Sequence, residues 1–226
     1  QVDPSDWSHK GIKITDATNL AFRVHASKQS GSADAIIQHT YLCDYETMDC
    51  PGSGLPPPEE FLHKLVSFTS NAGLREAIKE YLEDPDSAVY TYGPIETWDV
   101  SFVQDFLRLF VDDNNSALPG ADTFNADISQ WDVSRGTSFH STFMNARAFN
   151  QDISQWDVSK GEFFYLMFGY AYQFNQDISS WDVSRGTTFS DMFFYARSFN
   201  QDISGWDVSS GGSFGRMFYD ADEFNQ

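Results

Sequence analysis

Aspartate is the residue type that recurs in this sequence at positions where it could do chemistry. One aspartate stands between tryptophan and valine in every copy of a Trp-Asp-Val triplet, at Asp99, Asp132, Asp157, Asp182 and Asp207. We call these five residues the aspartate ladder. Since Trp and Val alternate with Asp, we expect the carboxylates to point outward together from one surface. Neighbours about 5 Å apart would repel by roughly 1 kcal/mol in water, so the ladder needs compensation.

Two interpretations of the ladder follow. It could bind Ca²⁺ or another cation, because carboxylate oxygens are the ligands that hard cations prefer. It could also bind a basic protein partner through its negative charge. Alternatively, each carboxylate could accept hydrogen bonds from backbone amides of the following turn, with further compensation from nearby serines and from Arg135, Lys160 and Arg185. We favour the second interpretation and keep the ladder as the candidate binding site. No cofactor other than Ca²⁺ is suggested.

Other potential catalytic groups do not combine into an active site. A second aspartate per repeat (Asp127, Asp152, Asp177, Asp202) precedes isoleucine and is expected to form a turn with its own backbone. Paired carboxylates suggest glycoside hydrolysis, but that chemistry needs two acids in unequal environments, and a repeated pair provides equal ones. The histidines are scattered: His9, His25, His39, His63 and His140. We therefore predict that the protein is not an enzyme.

The two cysteines, Cys43 and Cys50, lie in one short polar segment. In an oxidising compartment this spacing favours a disulfide, whereas in a reducing one both would be free thiols. A metal site would need more ligands than this segment offers.

An internal repeat of 25 residues must position the ladder. Phe-Asn recurs at 124, 149, 174, 199 and 224, and Trp-Asp-Val at 98, 131, 156, 181 and 206, so eight extra residues lie in the first repeat, within 111–120. In the copy 127–151, Ile128, Trp131 and Val133 have the spacing of a leucine-rich-repeat strand. Phe139, Phe143 and Ala146 follow with the spacing of a two-turn helix. The pattern predicts an α/β leucine-rich-repeat-like solenoid with five short parallel strands, short helices, stacked Trp and Phe columns, and a ladder of Asn150, Asn175 and Asn200.

Three segments are predicted along the chain. Residues 1–57 form an irregular N-terminal segment, with a strand at Gly11–Thr15 and a helix at Ala17–Ala26. Residues 58–93 form a helical cap, with one helix in Glu59–Phe68 and another from Ser70 or Asn71 to about Glu83, before Asp84-Pro85. Residues 94–226 form the solenoid. Its final repeat has no cap, so we expect either further sequence or a partner to cover that end.

Charge and hydropathy exclude several kinds of partner. The net charge of −19 and pI near 4.3 disfavour nucleic acid and anionic membrane surfaces. No run of about 18 apolar residues could cross a bilayer. The chain starts at Gln1 rather than Met, which suggests a processed or partial chain. We expect a secreted, cell-surface or organelle-lumen location.

The segment FNQDISQWDVS, with the Met-Phe-x-x-Ala motif before each later FNQ, resembles the BspA-like leucine-rich repeats of bacterial surface lipoproteins and marine algal proteins. The resemblance covers about Leu74 to Gln226 and implies surface exposure, adhesion and protein–protein contact, without catalytic residues. One departure is a glycine (Gly136, Gly161, Gly186, Gly211) where the family has valine, followed three residues later by a phenylalanine. We expect that ring to fill the space which the valine leaves.

The predicted function is a non-catalytic protein–protein interaction or structural scaffold module, at a cell surface or as a subunit of a larger assembly. Two alternatives remain: a Ca²⁺-dependent adhesion or carbohydrate- or mineral-binding surface protein, and a soluble lumenal subunit of a membrane protein complex. The uncapped last repeat, with Phe214, Met217, Phe218 and Phe224, is the expected contact surface for a protein partner or for self-association.

Overall fold

A computed structural model describes the backbone of Lys13–Ile14, Ala21–Gln29 and Ile36–Asp44, and residues 66–226. The chain divides into two compact units, one of Gln1–Lys64 with Asp86–Thr91 and one of Leu65–Pro85 with Tyr92–Gln226.

The first unit contains an antiparallel sheet of three strands. Strand β1 (Lys13–Ile14) pairs with β2 (Ala21–Gln29), which pairs along its length with β3 (Ile36–Asp44). The prediction of a helix at Ala17–Ala26 was therefore wrong, because β2 occupies most of that segment. Phe22, Val24 and Ala26 are apolar residues at every second position, and this spacing is that of a strand, not of a helix. The proposed Cys43–Cys50 disulfide lies outside the described residues.

Helix α1 (Asn71–Glu83) covers the start of the repeats, as predicted. Ser70 caps its N-terminus by accepting a hydrogen bond from the Gly73 N–H at 3.3 Å. Leu74, Ala77 and Ile78 form its buried face. A second helix, α2 (Pro85–Tyr92), follows directly; Pro85 ends α1 and suits the first turn of α2, where its missing N–H has no partner to lose.

The eight-residue insertion packs against α1. Arg75 donates a hydrogen bond to the Val111 carbonyl at 3.0 Å and forms an ion pair with Asp113 at 3.2 Å. Gly120, at φ 81°, leaves no room for a side chain, because a Cβ there would lie 2.8 Å from the Leu82 carbonyl oxygen. The insertion is therefore fixed against helix α1 by these contacts, whereas the sequence predicted only a surface loop.

The predicted strands and helices of the repeats were wrong. Across 66–226 the structure contains α1, α2, two short 3-10 helices (Ile95–Thr97 and Ala121–Thr123) and no strands. Each repeat is instead a series of turns. Single parallel bridges connect successive repeats at one position, linking Asp105, Ser138, Phe163, Thr188 and Ser213 in that order.

Hydrogen bonds between repeats explain why the apolar stripe of residues 139–146 does not form a helix. The N–H groups of Phe139, Ser141, Phe143 and Asn145 donate to carbonyls of the next repeat at 2.8–2.9 Å. The N–H groups of the intervening Thr142 and Met144 donate within their own repeat, to the carbonyl three residues earlier. Left-handed backbone at Ser141 (φ 56°) and Asn145 (φ 67°) aims alternate N–H groups outward, which an α-helix cannot do.

The core consists of aromatic columns that run across the repeats. Rings of Phe143, Phe168, Phe193 and Phe218 stack at centroid distances of 5.5 Å. A second column at 5.9–6.0 Å contains Phe149, Phe174, Phe199 and Phe224. Trp98, Trp131 and Trp156 also stack. These Phe columns and the first part of the Trp column confirm the expectation that identical side chains align.

Polar ladders accompany the rings. The Asn150 side-chain oxygen accepts a hydrogen bond from the Asn175 backbone N–H, and the Asn175 side-chain oxygen accepts one from the Asn200 N–H, both at 2.9 Å. The predicted asparagine ladder is thus confirmed, although its members are half-buried. The indole N–H groups of the tryptophans also connect neighbouring repeats; that of Trp156, for example, donates a hydrogen bond to the Ile128 carbonyl at 3.2 Å.

The substitution of glycine for valine has the predicted compensation. A Cβ on Gly161 would lie 2.4 Å from Cζ of Phe164, and the other repeats repeat this arrangement. The phenylalanine ring therefore occupies the space above the glycine.

Candidate functional site

The aspartate ladder lies at the outer surface of the turns. Apart from half-buried Asp99, its carboxylates are exposed. In every repeat Oδ1 accepts a hydrogen bond of 3.0 Å from the N–H of the serine two residues later. Each aspartate thus closes an Asx-turn directly after tryptophan, and this turn bends the segment predicted to be a strand.

These contacts also make four of the carboxyl groups more acidic, those of Asp99, Asp157, Asp182 and Asp207. The serine hydroxyl, followed by its backbone N–H, lowers the pKa of Asp157, Asp182 and Asp207. For Asp99 the hydroxyls of Ser101 and Ser67 do the same. Hydrogen bonds to the charged form favour it, so they offset the repulsion between neighbouring carboxylates.

The basic residues contribute little to this compensation. Lys160 donates to the Ser134 carbonyl at 2.9 Å, and its charge also lowers the pKa of Asp157. Arg185 instead pairs with Glu162 at 3.2 Å, and the Arg135 guanidinium lies 5.0 Å from the Phe102 ring centroid. Turn amides and serine hydroxyls therefore dominate. Cation binding by the ladder stays a prediction.

The second aspartate of each repeat is a turn-former, as predicted. Asp127, Asp152, Asp177 and Asp202 each accept the N–H of the serine two residues later at 2.9 Å. In Asp127, Asp152 and Asp202 this backbone bond is the main cause of a lowered pKa. For Asp177 the serine hydroxyl contributes most.

Over the described residues, no group of three or more His, Cys, Asp or Glu side chains is arranged to hold a metal ion. His140 is half-buried and packs edge-on against Tyr165 at 4.9 Å. Burial, with the nearby Arg108 charge, lowers the pKa of His140, which keeps it neutral at pH 7. It has no nucleophile as a hydrogen-bonding partner in the part of the chain that the structure describes.

The outer face of repeat 202–226 carries exposed apolar side chains. Phe214 is 41% exposed, whereas Phe189 at the same position of the preceding repeat is fully buried. A groove of about 410 Å³ is lined by Trp206, Phe214, Met217, Phe218 and Phe224. We call this surface the last-repeat face.

A second surface was missed in the sequence. Five half-buried or exposed aromatic residues form a connected cluster on the turns that follow the Phe core positions: Tyr170, Tyr172, Phe194, Tyr195 and Tyr219. We call this cluster, with the arginines that contact it, the aromatic face. A position-by-position comparison of the repeats would have found it, since these positions change from repeat to repeat while the core positions do not.

The fold and its surfaces define a stacked-turn repeat protein. A family model described as "Mycoplasma protein of unknown function, DUF285" matches residues 86–185 and 165–226. The chain belongs to this family. No curated protein and no solved structure matches the chain. In the described residues, no helix has both the length and the apolar character needed to cross a membrane.

Proposed function

We propose that this protein is a non-catalytic protein–protein interaction or scaffold module that acts at a cell surface, after secretion, or in an organelle lumen. The location rests on the resemblance to BspA-like surface proteins. The observation that carries the interaction function is the last-repeat face, whose open positions can be filled by a further repeat of the same chain or by another protein.

The exposed residues of this face are those that every earlier repeat buries. Val208 is 37% exposed, while Val183 is 1% exposed. The Phe189 N–H donates to the Ser213 carbonyl at 2.8 Å, and the Phe193 N–H to the Met217 carbonyl at 2.8 Å. The equivalent N–H groups of Phe214 and Phe218 find no acceptor among the described residues. A surface with exposed apolar side chains and unpaired backbone N–H groups favours a protein ligand.

Light scattering over a dilution series tests this proposal with a matched pair of variants. Phe214→Glu places a charge on the last-repeat face, and Phe163→Glu places one at a similarly exposed ring, 43% exposed, on another surface. We expect the wild-type chain to self-associate, and Phe214→Glu alone to prevent it.

A wild-type chain that remains monomeric at every concentration would contradict self-association through this face. Screens for glycoside, ester and phosphate hydrolysis should show no turnover. A turnover that one aspartate substitution abolishes would contradict the non-catalytic assignment.

A further inference from the structure

The four complete repeats separate into constant and changing positions. In 127–151, 152–176, 177–201 and 202–226, fourteen of the 25 positions hold the same residue in every copy. The structure accounts for these positions: they supply the ring columns, both Asx-turn aspartates with their serines, the glycine beneath a ring, and the Asn and Gln ladder. Constancy within this chain therefore follows from stacking.

The changing positions have no such explanation, and several of them meet on the aromatic face. One position holds Asn145, Tyr170, Tyr195 and Asp220 in successive repeats. The position before it holds Met144, Gly169, Phe194 and Tyr219. A third holds Arg147, Tyr172, Arg197 and Asp222. Repeats with such different residues stack equally well, so stacking does not require aromatic residues here.

Backbone strain is a second, independent observation at the same place. Tyr170 and Tyr195 have φ angles of 61° and 57°, in the left-handed region that bulky residues avoid and that Asn and Asp tolerate. Asn145 and Asp220 occupy the same position in the neighbouring repeats. The left-handed backbone itself belongs to the stacked turns, because Leu166 and Arg216 adopt it at another position of the repeat. What distinguishes the aromatic face is tyrosine at a position where Asn or Asp is compatible with the fold.

The rings of the aromatic face are half-buried or exposed, and the Tyr195 hydroxyl donates a hydrogen bond to Asp220. Tyr170 stacks on Tyr195 at 5.3 Å, and Phe194 stacks on Tyr219 at 5.2 Å. Each stacked pair covers the facing sides of its two rings, so less ring surface is left for the apolar face of a sugar. Aromatic edges carry partial positive charge and suit oxygen acceptors.

Arginines add positive charge to this surface, beside the carboxylates of Asp220 and Asp222. The guanidinium groups of Arg147 and Arg197 lie 5.2 and 4.7 Å from the Tyr172 ring centroid. Arg147 has no carboxylate partner within the described residues, and Arg197 pairs with Asp222 only at 3.8 Å, with both side chains more than half exposed. Arg216, in contrast, is paired at 2.9 Å with the buried Asp191.

We propose that the aromatic face is a second protein-binding surface, which takes a peptide segment that offers a carboxylate to Arg147 and Arg197 and apolar side chains to the rings of Tyr170, Tyr195 and Tyr219. Tyr and Arg are the residue types that dominate binding energy at protein interfaces. The inference rests on the proposed interaction function but uses a surface separate from the last-repeat face.

The test is a selection of displayed random peptides on the wild-type chain, followed by affinity measurement with the synthetic peptides. The variants are Tyr195→Asn and Arg197→Ala, and both should fold, since Asn145 occupies the first position in another repeat and Arg197 is exposed. We expect enriched peptides that carry Asp or Glu beside apolar residues, with a Kd weakened about tenfold or more by either variant. Phe214→Glu and Lys160→Ala should leave the Kd unchanged.

Three outcomes would overturn the inference. If neither variant changes the Kd of the selected peptides, or if the selection enriches no peptide, the face is not a peptide-binding site. Peptides that lose affinity only with Phe214→Glu would support the last-repeat face and the proposed function while refuting this second surface. Binding to an oligosaccharide array that the same two variants abolish would assign the face to glycans instead.

Discussion

The aspartate ladder and the aromatic face are two surfaces of the same repeats, and they differ in how they change along the chain. The ladder has the same residue in every repeat, and each carboxylate is hydrogen-bonded to its own turn. The residues of the aromatic face change between repeats, and some lie in left-handed backbone. A row of identical acids resembles a cation-binding site, yet turn formation alone already requires the same aspartate in every repeat.

This contrast gives a general way to interpret a repeat sequence. Positions that stay constant between copies bear the requirements of stacking, because every copy must fit its neighbour in the same way. Exposed positions that change are free of that requirement, so their residues report on something else, whereas a buried changing position such as that of Thr142 and Met167 still belongs to the core. Polar or strained residues at changing positions are therefore better candidates for binding than a ladder of equal ones.

The largest expected effect separates a constant position from a changing one within a single repeat. Phe168→Ala removes a fully buried ring from its column and should lower the free energy of unfolding by about 3–5 kcal/mol. Phe163→Ala removes a half-exposed ring at a changing position and should cost much less. Urea denaturation of both variants measures the difference. Equal losses would break the distinction between constant and changing positions.

A medium effect should reveal the strain on the aromatic face. Because Tyr170 has a φ of 61°, Tyr170→Gly should be more stable than Tyr170→Ala by about 1 kcal/mol, since both remove the ring and only glycine relieves the left-handed backbone. Tyr172, whose φ is not positive, is the matched control, and there the alanine variant should be the more stable one. Thermal unfolding of the four variants gives the comparison; the same order at both positions would refute the strain.

The smallest effect concerns the ladder. The pKa of Asp182 is lowered on folding, mainly by the Ser184 hydroxyl and then by its N–H. A lowered pKa stabilises the fold above the ordinary value of about 3.9 and loses this contribution as the pH falls through the lowered value. Asp182→Asn keeps an oxygen for the turn amide and should weaken the acid dependence of Tm, whereas Asp182→Ala should also lower Tm near neutral pH.

Calcium serves as the second arm of that experiment. If the turns alone satisfy the ladder, millimolar Ca²⁺ should not change the wild-type Tm beyond the effect of equal ionic strength. A specific rise, absent in Asp182→Asn, would show that the ladder binds cations.

Local and periodic features were within reach of the sequence. Helix α1 was predictable from Ser70 and the spacing of Leu74, Ala77 and Ile78, because capping and amphipathic spacing act over a few residues. The Phe columns and the asparagine ladder were predictable from the period of 25, since identical side chains in a regular stack must align. The space shared by Gly161 and Phe164 was predictable from their complementary sizes.

Only the tertiary structure decided where the backbone hydrogen bonds go and which surface residues meet. The spacing of Phe139, Phe143 and Ala146 fits a helix or a series of turns, because both place these side chains on one side. The neighbouring repeat offered carbonyls in register to alternate N–H groups, so turns replaced the helix. The aromatic face likewise joins residues from three repeats, such as Tyr170, Tyr195 and Tyr219. Their contact depends on how repeats stack, which no pattern within one repeat contains.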